Sequence, residues 1–160
     1  AAGLDFAQRH VRILSGLYGI LKPLDLMQPY RLEMGARFVN AAGKDLYAFW
    51  GETLLDAING ELAGMPRPVG VNLASEEYFK AAVGRKIQGQ VIQPVFEDWK
   101  SGRYRVIAFF AKRARGRMTR YAVVNRLDEP EGLKGFDYDG YAFAPEVSDE
   151  RTWVFRRRQD

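Results

Sequence analysis

Apolar residues recur along the chain with two different periods, and each change of period marks an element. Across residues 44–62, Leu46, Trp50, Leu54, Ala57, Ile58 and Leu62 follow at steps of three and four, the spacing of one helix face, with Gly60 and Gly64 near its end. A shorter helix is expected from an Asp5 cap to about Arg12, and another from a Ser75 cap through Glu76, Glu77 and Tyr78 to about Val83. Strand-like runs occupy residues 30–34, 68–73, 87–96, 104–110, 138–143 and 152–157. Two of them, 87–96 and 104–110, are joined by Asp98, Trp99, Lys100, Ser101, Gly102 and Arg103, a hairpin signature in which Gly102 is free to take positive φ. With no internal repeat, low-complexity segment or linker, the pattern predicts a single mixed α/β (α+β) domain spanning 1–160. Its mixed, partly antiparallel sheet is flanked by helices and includes a hairpin followed by a basic helix.

That basic helix changes the picture from fold to chemistry. The chain has 160 residues, 47% of them hydrophobic, enough for one full-sized core and too apolar for disorder as a whole. Its net charge is +4, but the excess is local: residues 100–126 carry nine Lys and Arg and no Asp or Glu. The densest stretch, KRARGRMTR, holds Lys112, Arg113, Arg115, Arg117 and Arg120. At 100° per residue, Arg113, Arg117 and Arg120 share one sector of a helix, and Ala114, Met118 and Tyr121 share another. Like charges at these spacings repel by a few tenths of a kcal/mol per pair, so the arrangement is easier to understand if something anionic neutralises it. Either carboxylates from the fold or a nucleic-acid backbone could do so.

Other candidate chemistry is thinner. No cysteine is present and His10 is the only histidine, which removes thiolate chemistry and any two-histidine metal site within one copy of the chain. No tightly bound metal or other cofactor is expected. Asp137 and Asp139, with Asp128, Glu129 and Glu131 upstream, offer carboxylates to a hard cation or simply form a solvated acidic turn. Asn72, Ser75, Glu76, Tyr78 and Lys80 sit at a strand-to-helix junction, where free backbone N–H groups favour anions, although capping also accounts for Ser75 and Glu77. Residues 15–19, SGLYG, read as a glycine-rich turn, usable by a helix-hairpin-helix element or by tight packing. The first ten residues lack the pattern of a signal peptide, and no apolar run reaches the ~18 residues of a membrane span. A cytoplasmic location without membrane partners is therefore expected, and a start at Ala1 suggests a chain beginning inside a longer protein.

Taken together, LSGLYGILKPLDLMQPYRLEMG (14–35), GKDLYAFWG (43–51), NLASEEYFK (72–80), QPVFED (93–98) and FFAKRARGRMTRY (109–121) resemble the YaaA family of bacterial peroxide-stress-resistance proteins. The resemblance runs over nearly the whole chain and implies that it corresponds to the C-terminal two-thirds of a full-length member. It further implies a cytoplasmic α/β protein that limits free iron under hydrogen peroxide and binds double-stranded or branched DNA through a basic cleft and a helix-hairpin-helix element. No enzymatic reaction follows from it.

On this reading Lys112, Arg113, Arg115, Arg117 and Arg120 contact phosphates, Arg31 and Lys80 line the same groove, and Arg103, Arg105 and Arg156 to Arg158 extend it. The rival is an enzyme acting on a small phosphorylated or nucleotide substrate in a pocket of Asn72, Ser75, Glu76, Tyr78 and Lys80. A protein-interaction module, with every guanidinium paired internally, is the third possibility.

Overall fold

The computed structural model describes residues 2–82 and 86–159. The chain divides into two compact units, one built from Ala1–Pro68 with Ala74–Gly89 and the other from Val69–Leu73 with Gln90–Asp160. Each mixes helices and strands, so the α/β class read from the sequence holds.

The first unit contains α1 (Ala2–His10), the hairpin of β1 (Ile13–Ser15) and β2 (Gly19–Leu21), and the hairpin of β3 (Arg37–Asn40) and β4 (Gly43–Asp45). It also holds α2 (Leu46–Trp50), α3 (Thr53–Ala63) and α4 (Glu76–Ala82). Asp5 lies within α1 rather than capping it, and the helix ends at His10, earlier than Arg12. The amphipathic pattern over 44–62 resolves into two helices, because Gly51 turns to φ 51°, ψ −123° and its N–H closes α2 onto the Tyr47 carbonyl. The periodicity reads straight through the break because both halves bury leucines in one cluster, Leu46 and Leu54 with Met34, Ala81 and Ala82. The expected end of α4 at Val83 falls outside the described residues.

Residues 30–33 take no regular secondary structure and Met34 begins a turn, so no strand forms here, and the pairing is taken by β3 with β4 instead. Met34 is fully buried there, the Tyr30 hydroxyl bonds to Ser15 Oγ, and a Cβ added at Gly16 would stand 2.4 Å from the Leu32 carbonyl oxygen. The segment is thus fixed by side-chain and close backbone packing without a ladder. The glycines of residues 15–19 serve the same packing: β1 and β2 pair Ser15 with Gly19, Gly19 sits at φ 78° against the Trp50 ring, and the Trp50 indole N–H donates to the Gly16 carbonyl at 3.0 Å. Both flanks are strands, so this turn is not a helix-hairpin-helix element.

The second unit is a five-stranded sheet in the order β5 (Val69–Val71), β6 (Gln90–Lys100), β9 (Thr152–Arg157), β8 (Ala142–Phe143), with β7 (Arg103–Arg105) also on β6. β6 runs parallel to β5 and β9 and antiparallel to β7, and β8 is antiparallel to β9, which makes the sheet mixed as expected. Alternation along β6 sends Ile92, Phe96 and Asp98 inward. Ser101 and Gly102 take φ 54° and 80°, the two left-handed positions of a two-residue hairpin turn whose twist matches the strands. The chain leaves the sheet after Arg105, and α5 (Ala108–Val124) starts well before residue 110. Phe109 and Phe110 look strand-like locally, but Ala111, Ala114 and Met118 recur at helical spacing and join Ile92, Phe96, Phe136, Tyr141 and Phe155 in the core, and that packing decides. Of residues 138–143 only Ala142 and Phe143 pair, because Tyr138–Gly140 forms a 3-10 turn with Asp139 at φ 59°, ψ 23°.

Candidate functional site

The arginine segment lies inside α5 and is helical, as its spacing predicts. Ala114 and Met118 are buried, whereas Lys112, Arg113 and Arg120 are exposed and Arg117 is half-exposed. Among the described residues one carboxylate faces this row. Asp139 Oδ2 stands 3.3 Å from Arg117 Nε and 3.9 Å from Arg113 Nε. Arg117 Nε makes no hydrogen bond, so the contact is one of charge, reinforced by the guanidinium lying 4.7 Å from the centre of the Tyr138 ring. Lys112, Arg115 and Arg120 have no carboxylate within 4.0 Å among the described residues. Arg115 points to another side of the helix and is half-buried, which pulls its guanidinium below the usual arginine range.

Asp139 is held in place by its left-handed backbone, a conformation aspartate tolerates better than most residues and which concentrates at functional sites. Its carbonyl accepts from Arg157 Nη1 at 3.2 Å, tying the turn to β9. Arg157 is itself buried: Nε donates to Asp98 Oδ1, and the guanidinium lies over Tyr141 and Phe110 at 4.4 and 5.0 Å. Tyr141 donates its hydroxyl to Asp98 Oδ2 at 2.7 Å. The buried Asp98 carboxylate is therefore charge-paired on one oxygen and hydrogen-bonded on the other.

Above this network, beside the first turns of α5, is a cleft of about 260 Å³. Tyr141, Arg157 and Ala114 form part of its wall, with Phe109, Phe110, Arg113, Asp139 and Gln159 around the rest. Burial first, and then the bond to Asp98, push the Tyr141 phenol far above the usual tyrosine range. A raised value means that this tyrosine contributes stability fully below its unfolded pKa of about 10, and that the contribution is lost as pH rises through the folded value. Urea midpoints measured from pH 8 to 11 should fall for the wild type above pH 10, and fall less steeply for Tyr141→Phe.

The peroxide stress protein YaaA family model matches residues 1–147. The chain belongs to the YaaA family. It is similar to UPF0246 proteins of Dechloromonas aromatica (81% identity over 99% of this chain and 62% of that protein), Aromatoleum aromaticum (64%, over 97% and 61%) and Azoarcus sp. (61%, over 99% and 62%). The chain thus spans about 62% of the length of these curated relatives, and the expected C-terminal two-thirds is corrected to that share alone, the family match itself stopping before β9.

Within this YaaA-family chain the remaining candidate residues are distributed as follows. Arg103 is exposed at the hairpin and Arg105 is half-buried, its Nε without a hydrogen-bond partner. The C-terminal arginines extend the surface less than expected, since Arg156 bonds Glu97 at 2.9 Å and Arg157 is enclosed, while Arg158 lies over the Trp99 ring. Arg31 and Lys80 belong to the first unit; Arg31 is exposed, and Lys80 lies 4.8 Å from the Tyr47 ring centre. Asn72 falls in the second unit and Ser75, Glu76 and Tyr78 in the first. Asn72 is buried and donates to Gln93 Oε1 at 2.6 Å, and Tyr78 is half-buried, its phenol raised chiefly by that burial. His10 stacks on Phe6 and bonds its carbonyl at 2.8 Å. Among the described residues no group of three or more His, Cys, Asp or Glu could hold a metal ion, and no helix is long and apolar enough to cross a membrane.

Sequence reasoning missed Phe109, Tyr141 and the Asp98–Arg157 pair. The pair was hidden because β6 and β9 are far apart in sequence and meet only in the sheet, where Asp98 pairs in register with Arg157. An aspartate at an inward-facing strand position was the available signal, since a buried carboxylate requires a cation.

Proposed function

We propose that this chain is the DNA-binding part of a cytoplasmic peroxide stress protein, helping to limit free iron and oxidative DNA damage. Double-stranded or branched DNA would bind by charge and shape along α5. Among the described residues the five cations of this helix have one carboxylate within 4.0 Å, Asp139 beside Arg113 and Arg117, and that imbalance is the observation that carries the reading. Lys112, Arg113, Arg117 and Arg120 engage phosphates directly. Arg103 and Arg105 extend the contact along β7, and Arg115 adds to the field around it. Recognition rests on phosphates rather than base edges, so duplexes of different sequence bind alike.

If about five phosphates are neutralised, log affinity falls against log salt with a slope of roughly −4 to −5. Replacing Arg113 and Arg117 together by alanine should make that slope shallower by about 2 while leaving the fold intact. Fluorescence anisotropy of labelled duplex and four-way junction DNA with full-length protein, from low to high salt, checks both. A flat salt dependence, or a double variant that binds like the wild type, removes the reading.

A further inference from the structure

We propose that the cleft at the start of α5 receives a single unpaired nucleobase, stacked on Phe109 while Arg113 and Arg117 hold its flanking phosphates. The proposal rests on the DNA-binding reading and adds the element of DNA that this end of the helix selects. Phe109 is 74% exposed, although large aromatic side chains are normally among the most buried. It stands four residues before Arg113 and eight before Arg117, so one side of the helix offers an open π-face followed by two guanidinium groups. An aromatic platform in line with cations is the arrangement by which proteins hold unpaired bases, because every base presents a stackable face and every nucleotide a phosphate.

The neighbouring cleft suits the edge of that base. Its volume, about 260 Å³, lies below that of sites for drug-sized ligands and admits one base rather than a base pair. Asp139 and Gln159 line it, offering a carboxylate acceptor and an amide to the N–H and carbonyl groups that pairing would otherwise occupy. The wall opposite is rigid: Arg157 and Tyr141 are both fixed to Asp98, so neither of these side chains has to be ordered on binding. A fully paired duplex has no free base to insert and would use the cationic row alone.

The test uses full-length protein and three DNAs of equal length: a duplex, the same duplex with one bulged cytidine, and the same with an abasic bulge. Wild type should prefer the cytidine bulge over the abasic bulge by about 10-fold, the scale of one stacked base. Phe109→Ala should lose that preference with the salt slope unchanged, and Phe109→Trp should keep it, its fluorescence quenched by the cytidine bulge and not by the abasic one. Equal binding of the two bulges by wild type, or a preference that survives in Phe109→Ala, overturns the base site while leaving salt-dependent duplex binding standing. Loss of all salt-dependent binding overturns both readings. A change in oligomeric state of Phe109→Ala, with DNA binding unaltered, would assign the ring to a protein contact and also overturn the proposal.

Discussion

Replacing Asp98 by alanine will destabilise the protein by about 3–5 kcal/mol, enough to consume much of the stability of an ordinary domain. The carboxylate is 5% exposed and Arg157 is 7% exposed, so removing one partner leaves a guanidinium enclosed by protein, with only the Asp139 carbonyl and the Phe110 and Tyr141 rings to offset its lost hydration. Tyr141 loses its hydrogen-bond acceptor in the same step. The double replacement Asp98→Leu/Arg157→Met removes both charges together and should cost markedly less than the single one, because a buried pair exchanged for apolar side chains of similar size is often nearly neutral. Urea denaturation midpoints of wild type, single and double variants check the ordering. Equal losses in the two variants would mean that the pair matters for its shape rather than its charge.

Phe96→Ala should cost a similar 3–5 kcal/mol. Phe96 is 2% exposed and occupies the middle of β6, with its ring stacked on Phe155 at 5.5 Å and edge-on to Phe136 and Tyr141 at 5.8 and 5.4 Å. Truncation opens a cavity that the surrounding rings cannot fill by changing rotamer, since each is packed against the others. Phe96→Leu keeps most of the volume and should lose much less. Thermal unfolding followed by near-UV circular dichroism reads both variants, and the loss of aromatic signal in Phe96→Ala should precede the loss of helix.

Much of this architecture could be read from local patterns, and the reasons for the failures are specific. The hairpin between β6 and β7 was legible because Ser101-Gly102 supplies the backbone a two-residue turn demands. The buried stripe of α5 was legible because Ala114 and Met118 keep helical spacing through a run of arginines. The break at Gly51 was not, because periodicity records which side of a segment is buried and both halves bury the same side. Residues 30–34 misled for the opposite reason: their composition suits a strand, but a ladder requires a partner, and partners are assigned by tertiary packing. At the candidate site, the arginine row was visible from its spacing, whereas the carboxylate opposite it was visible only as one acidic residue among several in the 128–139 stretch.

That carboxylate has a consequence for exchange. On the proposed DNA-binding reading, a phosphate arriving at Arg113 and Arg117, against which Asp139 already stands, would swap one anion for another on side chains that are partly aligned beforehand. Less disorder would then have to be removed when a polyanion lands, and the displaced acid group would reclaim the arginines when it leaves. A helix equipped in this way would release as readily as it captures.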